Sequence, residues 1–521
     1  MKRTLISVYD KTGVVGFAKA LADMGYEIVS TGKTEKALRE AGAPVLGISD
    51  ATGFPECFDG RLKTLHPKIH GGILAMRQNE SHMRQARELG IPMIDIVVNN
   101  LYPFESTVAR EGVTFAEAVE EIDIGGPAML RAAAKNWQDV AAIVDPADYE
   151  AVVNELASEG RLGEKTRKRL MLKVYRHTAA YDAAIAKYLG NEFEADSAET
   201  FPDRLVLSYT KSQEMRYGEN PHQKAAFYAE AAYGKSTLAN TEQLHGRELS
   251  FCNINDAHGA LELVREFTEP ALVACKHSNP CGVGCGADIY EAYIKAYTAD
   301  PVSIHGGIIA ANREIDAKTA AELGKLLIDI VIAPGFTEEA AAILKKKKNI
   351  RLLRLADIAA KRPGKSLDIK KVSGGVLVQE TDDILLPDGG YRCVTVRKPS
   401  VKEGEDMLFA WKIVKYVKSN AIVIGRGGQS LGIGVGQVSR IWAARQAVEH
   451  CVEALGPEIL VGAVMASDAF FPFEDCVETA AAAGVTAIIQ PGGSVNDQKS
   501  IDACDKYGIS MVFTEMRHFR H

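Results

Sequence analysis

The densest chemistry in the chain lies in CKHSNPCG, residues 275–282. Lys276 and His277 stand together where an apolar run ends, and the Asn-Pro step after them forces a turn. A lone His is more often a satisfied structural residue than a functional one. A Lys-His pair at a strand end is different, because open α/β sheets gather ligand-facing groups there. His is suited to general-base work near neutral pH, and an adjacent ammonium can stabilise an oxyanion. RYGENPHQ, residues 216–223, sets Arg216 beside Tyr217 at a turn, which fits a flat anionic ligand or a plain surface turn.

A second group of polar loops occupies the first 136 residues. STGKT, with Thr31, Gly32, Lys33 and Thr34, follows a predicted strand and opens a helix. Its backbone N–H groups and the helix dipole suit an anion, although the spacing is not that of a P-loop. GRLKTLHP places Arg61, Lys63 and Thr64 between Gly60 and Pro67. NNLYPF brings Asn99, Asn100 and Tyr102 to the end of a strand, and IDIGGPAMLRAAAKN sets Asp123 before a Gly-Gly turn, with Lys135 further along. Each piece alone reads as an ordinary strand–helix connection. Four at matching ends of one sheet point to a site.

Two tempting motifs fail. PCGVGC resembles the PCxxC of zinc deaminases, but Cys281 and Cys285 are one residue too far apart, and no HxE occurs in the chain. LGIGVGQ holds GxGxG rather than GxGxxG and reads as the second arm of a hairpin.

The elements that must position these residues alternate strand and helix. TLISVY, EIVS, PVLGIS, DIVVNNLY and DVAAIVD are Val- and Ile-rich strands separated by helical patterns, which implies a parallel sheet covered on both faces. Residues 164–189 read as one helix, and NEFEADSAETFPD (191–203), with five acidic residues and no basic ones, as a linker. Beyond it ALVACKH, 303–311, IDIVIAPGF, AVMASD, AIIQPGG and SMVFTEM are strands, and 439–455 is a helix. A further unit begins near residue 372. The rhythm of the two C-terminal halves is alike, as a duplication would leave it, although no sequence repeat is evident. KKKK at 345–348 reads as a solvated helix end.

Composition agrees with a large globular chain: 521 residues, 46% hydrophobic and 25% charged. A net charge of −7 argues against a general nucleic-acid binder. Nine scattered Cys and no apolar leader or span predict free thiols in a cytoplasmic protein that neither enters nor crosses a membrane.

SVYDKTG, GFPECFDGRLKTLHPKIHGGILA, NLYPF, IDIGGPAMLRAAAKN, RYGENPHQ, KHSNPCG, SNAIVIGRGGQSLGIGVGQVSR and SDAFFPFED together resemble one family, in its order and over essentially the whole chain. It is that of the bifunctional enzymes of late purine synthesis, which join AICAR formyltransferase to IMP cyclohydrolase. The resemblance implies an α/β chain: a methylglyoxal-synthase-like, doubly wound parallel sheet over 1–199, then two cytidine-deaminase-like α/β lobes, 200–371 and 372–521, that have lost zinc. No catalytic metal is expected. The implied reactions are the last two steps of IMP synthesis. Formyl passes from 10-formyltetrahydrofolate to AICAR, and formyl-AICAR then closes to IMP with loss of water.

By position, the resemblance places Asp10, Lys11, Thr31, Gly32, Lys33, Thr34, Arg61, Lys63, Thr64, Asn99 and Asn100 around the cyclised nucleotide. Tyr102 and Asp123 join them as catalytic groups, with Lys135 as the proton-transfer residue. Lys276, His277 and Asn420 become catalytic in formyl transfer. Arg216, Tyr217, Gly306, Asp329, Arg440, Phe470 and Arg517 match AICAR-binding positions, and Ile441, Asp475, Ser494 and Val495 match folate-side ones. A homodimer completes the transferase site in that family. One departure is Lys33, where the family's loop usually carries a second Gly; the expectation is ordinary backbone there and an ammonium near the phosphate. The rival readings are a zinc-dependent deaminase and a regulatory nucleotide sensor.

Overall fold

The computed structural model describes residues 2–102, 104–193, 201–230, 236–360 and 366–521. The chain forms two compact units, Met1–Tyr209 with Glu230–Ala232, and Thr210–Ala229 with Tyr233–His521.

The first unit holds five parallel strands: β1 (Lys2–Val8), β2 (Tyr26–Ser30), β3 (Val45–Gly47), β4 (Ile96–Asn100) and β5 (Ala141–Ile143), in the order β3-β2-β1-β4-β5. Alternate side chains feed two cores. Leu5, Val29, Val97 and Ala142 pack with the helices Pro67–Leu74, Gly125–Lys135 and Glu164–Phe193. Ile6, Ile28, Val98 and Ile143 face the helices Val14–Asp23 and Tyr149–Glu159. Burial on both faces is why these strands read as unbroken apolar runs. The edge strand β3 is shorter than PVLGIS implied, because the chain turns into the helix Ile48–Thr52 directly after Gly47. The long helix runs to Phe193, taking up the start of the acidic linker; residues 194–200 of that linker lie outside the described residues.

The second unit is built on one twelve-stranded sheet. At its centre lie two antiparallel hairpins, Ala271–Lys276 with Asn279–Cys285, and Ile422–Arg426 with Gln429–Gly434, joined edge to edge through their second arms. Outward from the first hairpin come the parallel strands Gly307–Ala311, Ile328–Ala333 and Arg351–Arg354. Outward from the second come Val464–Ser467, Ala487–Gln490 and Ser510–Phe513 in the same sequence. Each half therefore repeats one plan, with its strands in the spatial order 2-1-3-4-5, and the duplication is plain in the fold.

Sequence signs of it become readable once the plan is known. Each half enters its hairpin from a helix opened by a capping box, at Ser250 and at Ser400. Each second arm carries two glycines against the following helix. A Cβ on Gly282 or Gly284 would stand 2.0 Å from Ala296 O or 2.2 Å from Ala292 O; on Gly432 or Gly434 it would stand 1.9 Å from Ala447 O or 2.0 Å from Ala443 O. So GIGVG serves close helix–strand packing on a hairpin arm, as its spacing indicated.

The two later domains proposed at 200–371 and 372–521 share this single sheet, and residue 372 ends one arm of a separate ribbon, Leu367–Val372 with Gly375–Glu380. The strand expected over 303–311 begins only at Gly307, because Asp300 Oδ1 accepts from the N–H groups of Val302 and Ser303 and curls the segment into a turn.

Candidate functional site

In the first unit, the polar loops gather at the C-terminal ends of β1 to β4. Asn100 ties two of them together: its Oδ1 accepts from Tyr9 N at 2.6 Å and Asp10 N at 2.9 Å, and its Nδ2 donates to Asp10 O at 3.0 Å. The Asp10 carboxylate accepts from Thr12 N and lies below its ordinary range because of Thr12 and then Lys11. Thr34 bolts the second loop to β1 by donating to Val8 O at 2.8 Å and accepting from Val8 N at 3.1 Å. Gly32 takes the left-handed φ of +49°, whereas Lys33 continues as ordinary helix, the backbone expected for it, with an exposed side chain.

Beyond these loops lies a tighter cluster. Asp123 Oδ1 accepts from Gly126 N at 2.9 Å, and Tyr181 Oη accepts from Asp123 N at 2.8 Å. An ideal Cβ on Gly126 would fall 2.3 Å from Asp123 Oδ2, 2.8 Å from Leu101 Cδ2 and 2.9 Å from Asn99 Oδ1, so these groups crowd one spot. Thr64 Oγ1 stands 2.7 Å from the equivalent point on Gly125, and Lys63 Nζ 3.9 Å from that on Gly32. Burial raises the Asp123 carboxyl; the Gly126 N–H, Lys63 and the Gly125 N–H pull the other way without prevailing. Burial, then Asp123, raise the Tyr102 phenol, whose ring meets Tyr9 edge-on at 5.6 Å. Asn99 Nδ2 donates to Ser7 O at 2.7 Å, and its Oδ1 is buried without a hydrogen-bond partner among the described residues. A buried carbonyl oxygen without a donor costs free energy until one arrives, so this atom suits a ligand N–H.

Two residues expected here stand differently. The Arg61 guanidinium is exposed and paired with Glu120. Lys135 ends the helix whose first residues are Gly125 and Gly126. An α-helix rises about 1.5 Å per residue, so its Cα lies roughly 15 Å from that turn. The fold brings Lys63 to Asp123 and does not bring Lys135 there, because eleven residues on one helix fix the two ends apart.

In the second unit, sheet register lines up most of the expected residues along one edge. Lys276 ends the strand Ala271–Lys276, and its Nζ donates to His305 O at 3.0 Å. Antiparallel pairing of Cys275 with Ile308 sets Gly306, with φ +75°, beside it. Gly306 N donates to Leu327 O at 2.7 Å, next to Asp329, whose Oδ2 accepts from Asn253 Nδ2 at 3.4 Å. His277 is exposed at the hairpin turn. Asn279 Nδ2 donates to His277 O at 3.0 Å and Asn279 Oδ1 accepts from Lys418 N at 3.0 Å, which brings the segment 418–420 to the turn.

At that same edge Arg440, buried, donates to Asn420 Oδ1 at 2.7 Å, to Ala421 O at 3.0 Å and to the Asp468 carboxylate. Phe470 and Asp475 follow the strand Val464–Ser467, Ser494 and Val495 follow Ala487–Gln490, and Arg517 follows Ser510–Phe513. Asn496 Nδ2 donates to Pro472 O at 2.8 Å and joins the first two of these loops. Ile441 sits one residue into the helix Arg440–Leu455. Arg216 stacks over Tyr217 at 5.8 Å where the ribbon arm Thr210–Met215 ends.

Reading the sequence missed Asn279 and Asp468, which hold His277 and Arg440. Asp468 does carry a signal, since it directly follows an apolar strand. A cavity of about 260 Å³ opens beside Lys276 and His277, lined also by Asp300, Ser430 and His450. Cys281 lines it too, but burial pushes its thiol up to about 12, so it is an inert wall.

The AICARFT/IMPCHase bienzyme family matches residues 133–450, and the MGS-like domain family matches residues 13–128. The bifunctional purine biosynthesis protein PurH of Acetivibrio thermocellus is 58% identical over 521 residues, covering 100% of both chains. Proteins of the same description from a Thermoanaerobacter species and from Bacillus mycoides are 56% and 55% identical, again over 100% of both chains. A solved structure described as the crystal structure of ForH is 38% identical over 37% of this chain and 99% of its own, with a TM-score of 0.35.

Proposed function

The chain belongs to the AICARFT/IMPCHase bienzyme family, and from that premise we propose how its residues divide the work. It is a bifunctional enzyme, an AICAR formyltransferase and IMP cyclohydrolase acting at the last two steps of purine biosynthesis, and it uses a folate-type formyl donor. The donor we assign is 10-formyltetrahydrofolate.

Ring closure is assigned to the first unit, with 1–199 as its domain. The carboxamide nitrogen of formyl-AICAR attacks the formyl carbon, a proton leaves nitrogen, and the carbinol loses water. Asp123 is the acceptor for the N–H proton, since a carboxyl raised by burial is a stronger base than a solvated one. Asn99 Oδ1 accepts from the same carboxamide and helps hold a near-attack conformer. Tyr102 and Lys63 are the donors toward the departing oxygen. Asp10, Lys11, Arg61, Thr64, Asn100 and the 31–34 loop hold ribose and phosphate, with the N–H groups of Gly32 and Lys33 at a helix N-terminus for the anion. Lys135 keeps its proton-transfer assignment on family resemblance alone.

Formyl transfer is assigned to the edge that carries His277. AICAR's aromatic amine is a weak nucleophile, so His277 takes its proton as it attacks the formyl carbon. Lys276 stabilises the resulting oxyanion, and collapse returns the pair of electrons to the folate nitrogen, which leaves with the proton that His277 took from the amine. Asn420, Arg440, Gly306, Asp329, Phe470, Arg216, Tyr217 and Arg517 hold AICAR; Ile441, Asp475, Ser494 and Val495 meet the folate.

The observation that carries this reading is the difference between the two edges of the duplicated sheet. Where one edge has His277-Ser278 and Asn420, the equivalent positions of the other hold Gly427-Gly428 and Pro270. Of the two hairpin turns, the first alone carries an imidazole, at His277. The 2-1-3-4-5 order supports cytidine-deaminase-like lobes, 200–371 and 372–521. A homodimer is supported by exposed apolar groups beside this edge, among them Val438, Trp442 and Val495. The test supplies AICAR with 10-formyltetrahydrofolate and follows tetrahydrofolate and IMP separately. His277→Ala that fails only to form IMP, while still releasing tetrahydrofolate, would overturn the division.

A further inference from the structure

The duplication provides an internal control for the turn that carries His277. From the helix N-caps to the hairpin glycines, the two halves run in step, residue for residue. Ser250 corresponds to Ser400, Asp256 to Asp406, His277-Ser278 to Gly427-Gly428, and Gly282 to Gly432. Both turns are two-residue hairpin loops, closed by the pairs Lys276–Asn279 and Arg426–Gln429. Both put their two central residues at positive φ: 54° and 61° at His277 and Ser278, 60° and 70° at Gly427 and Gly428. A loop of this kind favours glycine, because a Cβ crowds the backbone there. The second half obeys that preference. The first places two side chains on the same strained backbone.

Something must hold it. On the first helix, Asp256 Oδ2 accepts from His277 N at 3.0 Å, and its Oδ1 stands 3.1 Å from the Ser278 hydroxyl. Asn255 adds to this, donating to Ser278 Oγ at 2.7 Å. On the second helix, Asp406 Oδ1 accepts from Gly427 N at 2.6 Å, the counterpart of one of these bonds. The carboxylate is thus common to both halves. Only in the first does it restrain residues that would otherwise relax to ordinary φ and swing the imidazole away.

We propose that Asp256 is a positioning residue for formyl transfer: its carboxylate holds the left-handed His277-Ser278 turn and so aims the imidazole. This rests on the reading that His277 acts in the transfer. Asp256→Ala in the full-length enzyme should lower kcat for formyl transfer by at least ~10-fold, since small misplacements of a reacting group are costly. The KM for AICAR should stay within about threefold and cyclisation of supplied formyl-AICAR should be unchanged, because neither is assigned to the turn.

Ser278→Gly relieves one of the two strained positions, so adding it to Asp256→Ala should recover most of the lost kcat. Asp406→Ala removes the matching bond at a Gly-Gly turn and should leave transfer near the parent rate. Asp256→Asn, which keeps an acceptor for His277 N, should fall between parent and Ala and serves if the Ala variant does not fold. Overturning results are a parent-like kcat in folded Asp256→Ala, or no recovery on adding Ser278→Gly. A normal transfer rate in His277→Ala would instead remove the reading beneath the proposal.

Discussion

Gly126→Ala adds one methyl group where the proposed cyclisation site is most crowded. The residue has ordinary helical backbone, and Ala is the better helix former, so the helix itself gains from the change. The new Cβ would stand 2.3 Å from Asp123 Oδ2, 2.8 Å from Leu101 Cδ2 and 2.9 Å from Asn99 Oδ1, whereas ordinary contact begins near 3.4 Å. Leu101 and Asn99 belong to buried backbone at the end of β4 and give little, so the carboxylate must retreat by about 1 Å, and a 1 Å misplacement costs about 10²-fold in rate. Gly125→Ala is the comparison: its Cβ meets Thr64 Oγ1, at 2.7 Å, and no atom of Asp123, so at saturating formyl-AICAR the carboxylate keeps its place. The assay is single-turnover closure of supplied formyl-AICAR, with formyl transfer measured beside it. Gly126→Ala should close about 10²-fold more slowly, and Gly125→Ala within a few-fold of the parent, both with normal transfer. A folded Gly126→Ala enzyme that cyclises at the parent rate would refute the placement of Asp123 at the reacting atoms.

His277→Ala should slow formyl transfer by about 10²–10⁴-fold, the usual worth of a general base, while closure of supplied formyl-AICAR proceeds at the parent rate. Lys63→Ala should slow closure by at least ~10²-fold through the lost donor; Lys135→Ala separates geometry from resemblance, since a parent-like closure rate withdraws Lys135 from the mechanism and a severe loss requires a route to Asp123 that its place on the helix does not provide. Asp123 has a folded pKa raised above 3.8, so its contribution to stability is full below that value and is lost as pH rises through the raised one. Asp123→Asn should therefore melt higher than the parent at neutral pH, with the difference shrinking toward acid, while closing formyl-AICAR poorly; equal melting curves at every pH would contradict the burial argument.

Much of the frame was legible because local rules and tertiary demands coincide. The strands of the first unit are buried on both faces, so they announce themselves as Val- and Ile-rich runs, and the loops 31–34 and 99–102 picked from the sequence lie at the ends of two of them. What was not legible depends on distance along elements rather than on residue type. Lys135 shares a motif with Asp123, yet the helix between them separates in space what is adjacent in the string. Arg61 stands in the right loop but is engaged by Glu120, a partner no local spacing predicts. Asn279 looked like a turn former, and only the fold reveals that it also ties His277 to Lys418.

The duplication stayed hidden in the sequence for a related reason. Its surviving marks are those that packing enforces: a capping box, a carboxylate under the turn, and two glycines pressed against a helix carbonyl. Residues free to change have changed, and they did so unequally. The hairpins pair antiparallel through their second arms, with Gly284 opposite Gln429, so the two turns point to opposite edges of the sheet. The His277 turn therefore meets the starts of the strands at 307 and 328 in its own half and the ends of those at 467, 490 and 513 in the other. One edge thus combines a turn from the first half with three C-terminal loops from the second, the loops where α/β sheets bind ligands. The opposite edge offers the mirrored arrangement with Gly427-Gly428 and Pro270, which hold no proton and donate no side-chain hydrogen bond. The duplicated sheet offers two equivalent turns, and an imidazole, that of His277, stands at one of them while the other is Gly427-Gly428.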